Sequence, residues 1–239
     1  MSDNNCFWIG GKHAVLSAIN NPKRVVKQIA LLNSDNMEFI ENKKKCEIKN
    51  ESFFRKIFSQ TQITHQGFAA EIQKLETVDF KDFFSQDKKK NLTFLILNNI
   101  QDNRNIGSII RTSLAFGVDA LIVEKKSYRS KNVQMYKAAC GAIEQLPIIE
   151  VANLSMTIKL LKEQDVWIYS FESSAKDNIN NINFLNRVAF IFGSENEGIN
   201  ELVKKNSDRL IKIPIQNNLN SLNVSNAVAS ALTYYRLCK

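Results

Sequence analysis

The sequence predicts an α/β protein: a parallel sheet covered by helices on both faces, with a smaller α/β unit on its N-terminal side. Three observations carry this. From Leu92 onward, short apolar strand-like runs alternate with amphipathic helical stretches, the pattern of parallel strands joined by helical crossovers. Residues from Phe7 to about Lys74 show the same mixture on a smaller scale. Between the two regions lies DFKDFFSQDKKKN, a Lys/Asp/Phe mixture suited to a connection. The expected division is therefore a first domain over 1–75, a connecting segment over 76–90 and a second domain over 91–239.

In the first region HAVLSAIN has the spacing of a helix, VVKQIALLN that of a strand, and GFAAEIQ that of a second strand. Phe80, Phe83 and Phe84 are expected to anchor the connecting segment on a neighbour. In the second region TFLIL reads as a buried strand, IGSIIRTSLAF as a helix, DALIV as a strand, MYKAACG as a helix and PIIEV as a strand. The series continues with a helix over LSMTIKLLKEQ, strands VWIYSF and RVAFIF, a short helix after Gly198, strand RLIKIPI and a final helix. No internal repeat or low-complexity tract interrupts it.

With 44% hydrophobic and 23% charged residues in 239, the chain can bury a core. Its net charge of +8 attracts polyanions such as nucleic acid or an anionic membrane. Lys43–Lys45 and Lys88–Lys90 read as solvated faces. KKSYRSK, residues 125–131, interleaves Tyr128 with four cations and suits phosphates and a stacked base. Cys6, Cys46, Cys140 and Cys238 are far apart, and only His13 and His65 could join them, so neither a metal site nor a disulfide framework is expected. The polar start MSDNN, and apolar runs well short of the ~18 residues of a membrane span, point to a reducing cytoplasm and no membrane.

Three segments could carry chemistry. In NNIQDNRNIGSIIRTSLAFGV, Asp102 or Asn103 can cap the helix, Ile106, Ile109, Ile110 and Leu114 form its stripe, and Gly117 sits where a left-handed residue closes it. Arg104 and Arg111, seven apart, share another face and could meet an anion such as phosphate. In VAFIFGSENEGIN a strand runs into a loop bracketed by Gly193 and Gly198, where Glu195 or Glu197 could meet a cation or a hydroxyl. It is not a Walker loop, because Ile199 and Asn200 follow the second Gly, and no G-x-G-x-x-G occurs, so a dinucleotide-dependent oxidoreductase has little support. In NNLNSLNVSNAVASALTYYRL, Val224, Val228, Ala231, Leu232 and Tyr235 make the buried stripe of a helix whose start is rich in Asn and Ser. All three segments follow strands, so their loops converge at the edge where α/β sheets bind ligands.

NRNIGSIIRTSLAFGV, IFGSENEGI and IKIPIQNNLNSLNVSNAVA, in this order, resemble the three signature motifs of the SpoU (TrmH) family of RNA 2′-O-methyltransferases. KAACGAIEQLPIIEVANL, GGKHAVLSAI and ITHQGFAAEI extend the resemblance to the RlmB-like branch, which methylates a guanosine of 23S ribosomal RNA. The resemblance implies a trefoil-knotted methyltransferase domain, a small N-terminal RNA substrate-binding domain, S-adenosylmethionine as methyl donor and a homodimer with composite active sites. It implies that Gly193, Ile213 and Leu222 bind the cofactor, and that Asn105, Arg111, Glu195, Ser221 and Asn223 are the polar active-site positions. The resemblance implies Arg111 as the base, whereas a guanidinium stays protonated in proteins, so binding a substrate phosphate and positioning the 2′-hydroxyl is the alternative role. Asn103 and Arg104 replace the family's frequent Pro and His, and Asn196 a frequent Gly, which leaves the loop geometry and target nucleotide open. A transfer-RNA ribose methyltransferase and a catalytically silent RNA-binding protein are the competing expectations.

Overall fold

The computed structural model describes residues 5–40, 46–61, 63–86, 89–216 and 221–239. The Lys43–Lys45 cluster, Lys88 and the asparagines of 217–220 therefore lie outside the described residues. The chain forms two compact units: one comprises Met1–Glu76 with Arg129–Gln145, the other Thr77–Tyr128 with Leu146–Lys239.

The first unit is a four-stranded sheet of β1 (Cys6–Gly10), β2 (Val26–Leu31), β3 (Cys46–Ile48) and β4 (Phe68–Gln73), in the order β1-β4-β2-β3. Pairing is antiparallel except between β2 and β3. Helices α1 (Lys12–Asn20) and α2 (Glu51–Ile57) belong with it. Of these elements β1, β3 and α2 carry too little periodicity to announce themselves in the sequence.

This unit also holds α5 (Val133–Ala139), which the expected boundaries assign to the second domain. Burial explains the difference. Met135 and Tyr136 are buried, and the Tyr136 ring packs edge-on against Phe7 of β1 with centroids 5.3 Å apart. Just beyond α5, Glu144 accepts both Arg24 Nη2 at 2.7 Å and Arg24 Nε at 3.0 Å, in a pair whose side chains are 0% and 2% exposed. Arg24 also donates to the Gln73 carbonyl at 2.6 Å and to the Tyr136 hydroxyl at 3.3 Å. Burial opposes the charge of Arg24, but the hydrogen bonds and field of Glu144 and Tyr136 leave its guanidinium more basic than usual.

KKSYRSK needs a correction as well. Tyr128 and Ser127 are each only 9% exposed, so no ring is presented for a stacked base, and the segment is split between the two units at Tyr128 and Arg129.

The second unit is a seven-stranded, wholly parallel sheet. Its strands are β5 (Leu92–Asn98), β6 (Ala120–Glu124), β7 (Ile148–Val151), β8 (Trp167–Phe171), β9 (Asp177–Asn178), β10 (Arg187–Gly193) and β11 (Arg209–Lys212), in the order β7-β6-β5-β10-β8-β11-β9. Every residue of β5 is buried, as expected of a central strand covered on both faces. Alternate residues serve the two faces. Leu92, Phe94 and Ile96 join Ala189 and Ile191 in one core with Leu154, Ile158 and Leu161 of α6 (Leu154–Lys162) and Val203 of α7 (Glu201–Asn206). On the other face Thr93 and Phe190 meet Tyr235 of α8 (Val224–Leu237), and α8 packs on α4 (Asn103–Ala115). The segment expected to be a connection holds α3 (Phe80–Gln86), with Phe83 buried in the first of these cores against Phe94, so the anchoring role of its phenylalanines holds.

Burial pushes the Tyr136 phenol up to about 12. Unfolded, a phenol ionises near 10, so its neutrality adds stability below that pH and the contribution is lost as pH rises from about 10 to about 12. The thermal midpoint of the wild type is expected to fall more steeply across that window than that of Tyr136→Phe. Equal slopes would contradict the assignment.

Candidate active site

Gly193, the last residue of β10, is in register with Asn98, the last of β5, so the loops that follow these strands start side by side. After Gly193 the chain folds tightly: Ser194 and Gly198 form an antiparallel bridge, with the Gly198 N–H on the Ser194 carbonyl at 2.9 Å. Gly198 adopts a φ of 67°, and a Cβ on Gly193 would collide with the backbone of Gly198 and Ile199. Both glycines are therefore required by local geometry.

The β5 loop ends at Asp102, whose carboxylate caps α4 by accepting the N–H groups of Arg104 at 2.7 Å and Asn105 at 3.3 Å. The helix runs to Ala115, and Gly117 takes the left-handed conformation expected of it, with φ 69°. Asn223 caps α8, accepting the Ser225 N–H at 3.0 Å. With its oxygen turned to the helix, the Asn223 amide points its NH2 outward.

That NH2 meets Glu195. Glu195 Oε1 accepts from Asn223 Nδ2 at 2.8 Å, from the Val224 N–H at 3.2 Å and from Asn105 Nδ2 at 3.3 Å, while Asn223 Nδ2 also reaches Asn105 Oδ1 at 3.1 Å. One carboxylate thus ties the β10 loop to the first turns of two helices. Beside it, Glu197 Oε2 accepts from Asn99 Nδ2 at 2.7 Å, and Asn99 holds a φ of 56°.

Two clefts flank this bridge and share Ser194, Glu195, Asn196, Glu197 and Val224. The first, about 340 Å³, has Phe171, Phe192, Ile213, Ile215 and Leu222 on its walls, and the rings of Phe171 and Phe192 stack with centroids 4.4 Å apart. Ser173, Ser194 and Ser221 add hydroxyls. Lys204 and Lys212 also line it, and Lys204 is held by Glu172 at 2.7 Å, a hydrogen bond that makes the ammonium harder to deprotonate. The second, about 300 Å³, is lined by Asn99, Gln101, Asp102 and Asn105 together with the shared residues, and among the described residues no basic side chain lines it.

The structure brings most of the expected site residues together. Gly193, Glu195, Ile213, Ser221 and Leu222 line the first cleft, Asn105 and Glu195 the second, and Asn223 joins them through Glu195. Arg111 stands apart: it is exposed on α4 and lines neither cleft, as is also true of Arg104. Phe171 and Phe192 escaped the sequence reading because each looks like an ordinary strand residue. Both histidines belong to the first unit, where His65 stacks on Phe54 with ring centroids 4.5 Å apart. Among the described residues no group of three or more His, Cys, Asp or Glu is arranged to hold a metal, and no helix is long and apolar enough to cross a membrane.

The parallel sheet with two clefts at its loop edge is the frame of an α/β enzyme, and the family matches make the class plain: an RNA 2′-O-ribose methyltransferase. Residues 92–233 match the SpoU rRNA Methylase family and residues 8–78 match RNA 2′-O ribose methyltransferase substrate binding; the chain belongs to the SpoU methylase family. A protein of Staphylococcus aureus (strain COL) assigned to the TrmH family of tRNA/rRNA methyltransferases is 36% identical over 96% of this chain and 94% of its own. The 23S rRNA (guanosine-2′-O-)-methyltransferase RlmB of Xylella fastidiosa is 32% identical over 95% of this chain and 94% of its own. In fold, the chain is similar to the SpoU methyltransferase AviRb of Streptomyces viridochromogenes, solved with AdoMet, with a TM-score of 0.83 at 16% identity over 98% of this chain and 90% of that one.

Glu195→Ala removes the acceptor of the Val224 N–H. Amide exchange at Val224 is expected to quicken about tenfold, the scale of one lost hydrogen bond. Unchanged protection would show that the carboxylate does not hold the start of α8.

Proposed function

We propose that the protein methylates the ribose 2′-hydroxyl of a guanosine in 23S ribosomal RNA, binding S-adenosylmethionine in the first cleft and the acceptor nucleotide in the second. The observation that carries this reading is the Glu195 bridge, which sets the two clefts on either side of one carboxylate. The choice of ribosomal RNA is supported by the rRNA methylase family match over residues 92–233 and by the relative from Xylella.

The first cleft fits the cofactor. Its volume of about 340 Å³ lies within the range of small-ligand sites, and its aromatic and aliphatic wall suits a purine. When bound, S-adenosylmethionine supplies an electrophilic methyl group on a sulfonium. The backbone of 193–198, with Ile213 and Leu222, grips the donor, while Ser221, Asn105 and Asn223 orient it and the acceptor ribose with neutral dipoles. Glu195 fixes the two amides. No His lines either cleft, and a guanidinium keeps its proton, so Arg111 binds a substrate phosphate and the hydroxyl proton leaves late, to phosphate or water. The place of Arg111 outside both clefts of its own chain is in keeping with the homodimer and composite active sites that the family resemblance implies, in which Arg111 serves the cleft of a partner subunit. The C-terminal segments thread as a trefoil knot, in keeping with the family, and no metal takes part.

The test is transfer of a labelled methyl group to unmodified 23S ribosomal RNA and, in parallel, to unmodified total transfer RNA. Alkali-stable label confined to the ribosomal RNA is expected. Label in transfer RNA alone would move the substrate, and no label together with no cofactor binding would leave a silent RNA-binding protein. Arg111→Ala is expected to abolish turnover with cofactor affinity within about threefold of wild type. Gly193→Ala, by forcing the loop open, is expected to weaken cofactor binding at least about tenfold in calorimetry.

A further inference from the structure

Glu124, at the end of β6, lines neither cleft and is only 6% exposed. Its Oε2 accepts from Asn98 Nδ2 at 3.1 Å and from the Asn99 N–H at 3.3 Å, and its Oε1 faces Lys126 Nζ at 3.1 Å. Asn98, 3% exposed, uses its Oδ1 to accept the Asn200 N–H at 2.7 Å, and Asn99 holds Glu197. A line of hydrogen bonds thus runs from β6 through the end of β5 to two points on the loop that carries Glu195.

The polarity of this line has only one consistent arrangement. A carboxylate can only accept and the Asn200 backbone N–H can only donate, so Asn98 must turn its NH2 to Glu124 and its oxygen to Asn200. The reversed amide would set oxygen against oxygen and N–H against N–H, in a place too buried for water to compensate. Glu124 therefore decides which way Asn98 faces, and Asn98 decides whether the loop closes at Asn200.

We propose that Glu124 and Asn98 are positioning residues for methyl transfer, holding the loop that places Glu195 and Glu197 between the two clefts. The proposal rests on the reading of those clefts as donor and acceptor sites. Neither residue touches cofactor or RNA; both act through the loop.

A double-mutant cycle of Asn98→Asp and Glu124→Gln tests it, with three readouts on each purified protein: S-adenosylmethionine affinity by calorimetry, kcat and KM for labelled methyl transfer to unmodified 23S ribosomal RNA, and thermal midpoint. Asn98→Asp keeps the acceptor for Asn200 but sets two carboxylates face to face, and is expected to lower cofactor affinity and kcat by about tenfold or more. Glu124→Gln keeps an amide oxygen for both N–H groups and is expected to stay within about threefold of wild type. In the double variant the introduced amide can turn its NH2 to the introduced carboxylate, which removes the carboxylate pair but leaves the Asn99 N–H without that acceptor, and part of the loss is expected to be regained. Asn98→Asp behaving as wild type, a double variant no better than Asn98→Asp, or losses explained by the unfolded fraction alone would each overturn the proposal. The affinity arm uses no RNA, so a wild type that binds cofactor but leaves ribosomal RNA unlabelled would fail the substrate assignment while the cycle still decides this one. A wild type that binds no cofactor would bring down both.

Discussion

The candidate site depends on one constraint: β10 must fill the place between β5 and β8. The chain lays β6 and β7 outward on one side of β5 and then crosses to begin β8 two places away on the other. The gap would leave two rows of backbone N–H and C=O groups unpaired in the middle of a covered sheet. Only a strand apolar on both faces can close it, and Val188–Phe192, all buried, does. The consequence is chemical as well as structural, because strand order reverses there and the ends of β5 and β10 come together. Asn98 and Gly193 meet in register, and the loops that build both clefts start from that pair.

The two units handle buried polarity differently. In the first, Arg24 and Glu144 are removed from water, which costs several kcal/mol per ion unless geometry and extra hydrogen bonds offset it. They do so through a two-pronged contact, a backbone carbonyl, a phenol and the Asn21 amide, which donates to Glu144 Oε2 at 2.9 Å. Such a pair stabilises little by itself but penalises any arrangement in which residues 129–145 leave the unit. In the second unit Glu195 stays exposed, and its acceptor capacity goes to three N–H donors instead of a cation.

On the proposed reading, this suits the reaction. The donor is a cation and the acceptor sits in a polyanion. Neutral amides and hydroxyls around the transfer point orient both without setting a full charge directly against the sulfonium, while arginines away from the clefts hold phosphate. The lining of the second cleft, with no basic side chain among the described residues, fits this division of labour.

What the sequence determined was local. Alternating apolar runs located the α-helices from Leu92 onward and every strand there except the two-residue β9, because periodicity reports which faces of a segment are buried. Asp102, Gly117 and the stripe Val224, Val228, Ala231, Leu232 and Tyr235 were legible because caps and stripes depend on neighbours within a turn or two. Glu195, Asn105 and Asn223 were legible as motif positions, but that one carboxylate oxygen gathers both amides was not. Asn105 is 90 residues from Glu195 and 118 from Asn223, and nothing in either neighbourhood states the pairing. Distance in the chain likewise hid the pairing of Arg24 with Glu144, the burial of Tyr128 and the role of Glu124 beneath Asn98. Those were decided only when the strands took their order, since desolvation and hydrogen-bond satisfaction act on whatever the fold brings together, and short-range sequence pattern carries no record of it.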